Sequence, residues 1–164
     1  MRVVTRSRPP IERVHPPDAL FRLINPLMRR LIARGRAKDQ LLILHYAGRK
    51  TGRRFDVPAG CHIIDGVPSV LTSSSWRCNF AGGRDIEVTL RGERRPAHAV
   101  LIDDPREVAT VYERLIRELG IKQARRRLGL RFNVDRPPTL LELQEAIERS
   151  GLSIVRIYDH QPAQ

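Results

Sequence analysis

The chain has 164 residues, 41% hydrophobic and 29% charged, which is enough apolar content for one packed core and too much for a disordered segment. No run approaches the roughly 18 apolar residues of a membrane-spanning helix, and no apolar signal core follows the N-terminus. The two cysteines, Cys61 and Cys78, are too few for a disulfide scaffold and lack metal spacing, so a cytoplasmic protein with free thiols is the expectation.

The net charge of +12 is uneven, because residues 1–38 hold ten basic and two acidic residues. Such a segment suits nucleic acid, an anionic membrane surface or a polyanionic ligand. The ratio of 27 arginines to three lysines is also what GC-rich codon usage produces.

Residues 1–17 carry Pro9, Pro10, Pro16 and Pro17 and read as a basic, extended arm ahead of a single domain over 18–164. Across 19–34, Leu20, Leu23, Ile24, Leu27, Met28, Leu31 and Ile32 recur at helical spacing, with Pro26 as a bend. This amphipathic helix either packs on its own domain or lies on an anionic membrane.

The period then changes. Leu41–Tyr46 is a short apolar run, and Phe55–Ile64 and Val67–Ser73 flank Asp65-Gly66, a type I′ hairpin signal. Ile86, Val88 and Leu90 alternate with polar residues, and Gly92 turns the chain into Arg95–Ile102. About five strands joined by tight turns predict a small antiparallel barrel or sandwich.

After Pro105 the helical period returns, giving a mostly helical C-terminal extension over about 105–164. Val108, Val111, Tyr112, Leu115, Ile116 and Leu119 form one face, closed by Gly120. Residues 121–129 form a short basic helix. Thr139 with Glu142 predicts a capping box on a helix ending before Gly151, and Leu152–Tyr158 a last strand. The whole is α+β.

The segment richest in chemistry is Gly48-Arg49-Lys50-Thr51-Gly52-Arg53-Arg54 between two predicted strands. Glycines let backbone N–H groups approach a ligand, and arginine and lysine supply donors to phosphate oxygens. The spacing is not that of a Walker A loop, and no helix follows. A solvated hairpin tip is the plain alternative. His45 and His62 sit in predicted strands, as satisfied core histidines or as a proton donor, and His98 faces away from Ala97 and Ala99. No nucleophile–base–orienter set emerges, which suits chemistry carried by a cofactor.

Asn25-Pro26, the GRKTG turn, Pro58, Asp65-Gly66 and the W-x-x-N-F element Trp76–Phe80 together resemble the deazaflavin-dependent nitroreductase family over roughly residues 20–102. The resemblance implies a split β-barrel with flanking helices, coenzyme F-420 (an 8-hydroxy-5-deazaflavin) and hydride transfer. By the same likeness Arg49, Lys50, Thr51, Gly52 and Arg54 grip the anionic tail of the cofactor, with Pro58 in the next strand. Ser73, Ser74, Ser75, Trp76 and Asn79 lie beside its ring. Trp76 is alternatively a core residue, and Asn79 a turn or cap residue.

The sequence departs from the family in having Phe55 where an arginine is usual, a serine loop shortened to three residues, and no match after residue 102 to the pocket tyrosines. The resulting expectation is an F-420-dependent oxidoreductase, cytoplasmic and membrane-peripheral, reducing a quinone, enone or nitro compound. The named partners are that small-molecule acceptor, an anionic membrane surface and a second copy of the chain. The alternatives are FMN in the same barrel, F-420 bound without turnover, and a basic nucleic-acid module. The last needs stacking aromatics on its strands, and aromatics are only 5% of the chain.

Overall fold

The computed structural model describes residues 8–14, 26, 27, 30, 31, 34 and 40–160. The helix expected over 19–34 falls largely outside them; Pro26, Leu27, Arg30 and Leu31 of that stretch are helical. In chain order the strands are β1 (Ile11–Arg13), β2 (Leu41–Ala47), β3 (Arg54–Gly60), β4 (His62–Ile64), β5 (Val67–Thr72), β6 (Arg84–Leu90), β7 (Glu93–Ile102), β8 (Leu130–Phe132) and β9 (Ser153–Asp159). The helices are α1 (Pro105–Leu119), α2 (Ile121–Leu128) and α3 (Leu140–Ser150), and a 3-10 turn covers Ser75–Phe80. The protein is α+β, as its periodicity predicts.

The chain divides into two compact units, residues 16–103 with 153–164, and residues 1–15 with 104–152. The first contains a curled seven-stranded sheet, antiparallel throughout, in the order β3-β2-β6-β7-β9-β5-β4. Its core lies on one face, where the two-residue period sends Leu42, Leu44 and Tyr46 of β2 to meet Ile86, Val88 and Leu90 of β6. Register confirms the pairing, with Leu44 opposite both Val57 and Val88. Phe80, fully buried, packs edge-on against Tyr46 at 5.0 Å between ring centroids.

Both tight hairpins follow from local chemistry. Asp65 and Gly66 take φ of 54° and 75°, and Arg91 and Gly92 take 54° and 82°. Two consecutive positive φ angles are what a type I′ turn requires. The last strand, β9, is inserted between β7 and β5, a placement no local signal announces. Neither Cys61 nor Cys78 forms a disulfide.

In the second unit α1 packs on α3, and each helix buries one face, with Val108, Val111, Tyr112 and Leu115 on α1 and Leu143 and Ile147 on α3. Asp104 caps α1 by accepting the Glu107 N–H at 2.9 Å. The expected capping box is present on α3: Thr139 Oγ1 accepts the Glu142 N–H at 3.2 Å, and Glu142 accepts the Thr139 N–H at 2.9 Å. Part of the proline-containing arm is a strand, since β1 pairs antiparallel with β8, Ile11 opposite Phe132. Ile11 is 1% exposed, and its carbonyl accepts from Arg149 at 2.9 Å. Asn133 secures the same segment, its backbone N–H donating to Pro10 at 2.8 Å and its side chain to Pro9 at 2.7 Å.

The Arg136 guanidinium, 2.6 Å from Glu142, together with the Thr139 N–H, holds the Glu142 carboxyl down at about 2 from an ordinary 4.5. A folded-state value below the unfolded one stabilises the fold above the unfolded pKa, and that contribution is lost as pH falls through the folded one. Glu142→Gln should therefore flatten the decline of melting temperature between pH 4.5 and 2. Equal slopes for the two proteins over that window would show that the pair does not support folding.

Candidate functional site

The G-R-K-T-G turn is closed by its own backbone. Gly48 donates to the Arg53 carbonyl at 2.8 Å, and Gly52, at φ 67°, donates to the Gly48 carbonyl at 2.9 Å. Thr51 Oγ1 accepts the Arg53 N–H at 3.3 Å. At position 48 a Cβ would come within 3.0 Å of the Phe55 ring, so any larger residue there requires that ring to shift. That ring stacks on Tyr46 at 5.6 Å, and the Arg53 guanidinium sits 5.6 Å above it.

The structure joins this turn to the tryptophan element. The Asn79 carboxamide accepts the Arg49 N–H at 3.0 Å and donates to the Trp76 carbonyl at 2.8 Å. The Arg49 guanidinium donates to the Ala81 carbonyl, so this side chain holds the turn in place instead of extending outward. Trp76 is half-buried against the sheet core, edge-on to Phe80 at 6.0 Å. Both plain readings thus describe part of what these residues do, Trp76 as a core contact and Asn79 as a turn brace.

The serine loop is tied down from the other side. Arg77 Nη1 donates to the carbonyls of Ser73 at 2.7 Å and Ser74 at 3.0 Å, and Arg77 Nε donates to Ser153 Oγ at 3.2 Å. Thr72 Oγ1 accepts the Ser74 N–H at 3.0 Å. Pro58 faces away from the core at a half-buried position on β3, an edge strand, where a missing N–H is tolerated. Lys50, Thr51, Gly52, Arg53 and Arg54 are exposed. Among the described residues, the Lys50 ammonium and the Lys50 and Thr51 backbone N–H groups have no protein acceptor. Such donors suit an anion carrying a phosphate or carboxylate group.

On the face of the sheet opposite the core, His45 links three strands. Asp56 Oδ1 lies 2.6 Å from Nδ1, which makes Nδ1–H the donor, and a neutral ring then accepts the Thr89 hydroxyl at Nε2, 2.7 Å away. His45 is therefore a satisfied histidine. The expected orientation of His98 holds, with Ala97 and Ala99 buried beneath and its Nδ1 2.7 Å from Asp85. Alternation placed these side chains on a face, but their partners lie 11 to 44 residues away in the chain. The roles of Arg77 and of the His45 bridge had no sequence signal. Among the described residues no group of His, Cys, Asp and Glu is arranged to hold a metal, and no helix is long and apolar enough to cross a membrane.

Neither a family model nor a curated protein matches the chain. Similar solved structures include a domain-swapped dimer, 13% identical, with a TM-score of 0.44 over 84% of this chain and 98% of that one. Another is the protein Atu2129, of unknown function, from Agrobacterium tumefaciens str. C58, 16% identical with a TM-score of 0.43 over 92% of this chain. The chain spans 59% of the length of that second protein.

The Asn79 brace is directly testable. Asn79→Ala removes the acceptor of an exposed amide, for an expected loss of about 0.5–1.5 kcal/mol. Hydrogen exchange at the Arg49 amide should accelerate while exchange in β6 and β7 stays slow. Unchanged protection of Arg49 would mean that the turn stands without its brace.

Proposed function

We propose that the chain is a deazaflavin-dependent oxidoreductase whose cationic turn holds the anionic tail of coenzyme F-420. The observation that carries this reading is the Asn79 bridge. It ties the turn to the tryptophan element across 30 residues of sequence, while Lys50 and Arg54 remain exposed. Two motifs that the family likeness pairs are thereby held as one structural piece.

Within this reading the division of roles follows from the hydrogen bonds. Lys50 and the N–H groups of Lys50 and Thr51 meet phosphate oxygens, and Arg54 adds a planar fork on the flanking strand. Arg49 keeps the turn closed against Ala81. Ser73–Ser75, pinned by Arg77, and Trp76 border the ring and fix its orientation. When bound, the cofactor supplies a hydride to an electron-poor acceptor such as a quinone, enone or nitro compound. The protein contributes binding and position.

Titration of the purified chain should show F-420 binding more tightly than FMN and weakening as salt rises, since exposed charges are screened. Lys50→Ala should lower F-420 affinity roughly tenfold or more through loss of a charge-assisted contact, with little change in melting temperature. FMN binding as tight as F-420, or a Lys50→Ala protein that loses stability and keeps its affinity, would overturn the assignment.

The basic N-terminal segment extends this reading to a peripheral site on an anionic membrane, where quinone acceptors dissolve. The β1–β8 pairing dictates how to test it. Removing residues 1–17 would strip a buried strand, whereas removing residues 1–7 spares β1 and takes away Arg2 and Arg6. The shorter truncation should keep its melting temperature and bind anionic vesicles less at low salt. Full-length protein that ignores such vesicles would exclude the membrane role.

A further inference from the structure

Where β2 leaves the sheet and β3 and β6 begin, the surface opens into a hollow of about 520 Å³ whose lining shares only Arg54 with the tail-binding set. Its charged groups are unevenly satisfied. Asp56 is taken by His45 at 2.6 Å. Glu87 accepts two nitrogens of Arg94, at 2.6 and 3.2 Å. Asp85 has His98 Nδ1 at 2.7 Å and His160 Nδ1 at 3.6 Å. Each carboxylate lining the hollow therefore has a protein partner.

Two of the three arginines do not. Arg94 is committed to Glu87, but among the described residues neither Arg54 nor Arg84 has a carboxylate within ion-pairing distance. Arg54 acts on Glu87 only through space, helping to hold that carboxyl below its usual range after the larger effect of the Arg94 hydrogen bond. Arg84 is the sharper case, because its Nη1 is shielded from solvent and has no acceptor. A guanidinium nitrogen out of water and without a partner is costly, and native structures seldom leave one so unless something else supplies the acceptor. Burial pushes the Tyr46 phenol above its ordinary value, with the Arg84 charge pulling the other way, so a neutral hydroxyl stands near this guanidinium.

We infer that the hollow is a second anion site, in which Arg84 and Arg54 bind the carboxylate or phosphate group of a small molecule. The chemistry follows from the donors. Two guanidinium forks present planar N–H pairs that match an oxyanion, and the neighbouring carboxylates each have a partner of their own. Asp56, Asp85 and Glu87 in the lining disfavour a large polyanion and favour a compact ligand carrying one such group. Arg84 is outside both motifs that carry the deazaflavin reading, and Arg54, which flanks the turn, is the one residue the two sites share.

The experiment titrates the full-length chain with inorganic phosphate in one arm and succinate in the other, following amide chemical shifts at Arg54, Arg84 and Glu87. Saturable shifts in either arm are expected, and the arm that binds more tightly identifies phosphate or carboxylate as the ligand group. Arg84→Gln should weaken binding at least tenfold. Should that variant fold poorly, Arg54→Gln, a change at an exposed edge-strand position, must weaken binding too. Binding that survives both substitutions, or is absent from the wild type, overturns the inference. So does binding lost in Lys50→Ala and kept in Arg84→Gln, because the ion then sits on the turn. Failure of F-420 to bind leaves this outcome unaffected and bears only on the turn.

Discussion

The sheet is organised around one non-local constraint, the return of the last strand to its middle. β9 forms ladders on both sides, with β7 through Leu101–Val155 and with β5 through Val70–Val155. Val155 is wholly buried at this double junction. Without β9 the β3-β2-β6-β7 strands and the β4–β5 hairpin would be two separate pieces, each exposing unpaired edges. The closure entropy of the roughly 50-residue connection is modest, since loop cost grows only logarithmically with length. Pairing along two edges offsets it. Ser153, at the start of that strand, accepts from Arg77, so the serine loop is registered against β9 as well as against its own turn.

The candidate site is braced by small polar side chains that span its loops. The two polar ends of Asn79 are both used, one toward Arg49 and one toward Trp76. An amide can donate and accept at once, which a carboxylate or an ammonium cannot do. An aspartate at position 79 would keep the acceptor for Arg49 and set like poles together at the Trp76 carbonyl. The turn is thereby pre-shaped, and cations on a pre-shaped turn pay less ordering entropy when an anion arrives.

What was legible in the sequence was what is local. Asp65-Gly66, the Thr139–Glu142 capping box and the alternation of Ile86, Val88 and Leu90 each depend on residues within a few positions, and each is present. The β1–β8 pair was illegible because three-residue strands carry too little period to register, and because Ile11 stands among prolines and charges. The bridge from His45 to Asp56 and Thr89 was likewise hidden. Alternation tells which face a side chain takes, whereas its partners depend on the order of strands in the sheet. The turn and the tryptophan element could be connected only by family likeness; the bond between them is a product of the fold.

The excess of arginine takes on a different meaning once its hydrogen bonds are followed. Arg49 donates to Ala81, Arg77 to Ser73 and Ser74, Arg125 to Phe132 and Arg149 to Ile11, all of them backbone carbonyls in or beside irregular segments. A long side chain with five donors in a rigid fork can satisfy carbonyls that no strand or helix pairs, and lysine, a point charge, does this less well. Four of the 30 basic residues thus staple loops and chain ends, so net charge overstates the surface offered to a polyanion. Where the remaining cations lie is more informative than the total. Among the described residues, Lys50 and Arg54 on and beside the turn, and Arg84 at the start of β6, are three that donate to no protein oxygen, and they lie where β2 hands the chain to β3 and β6 begins.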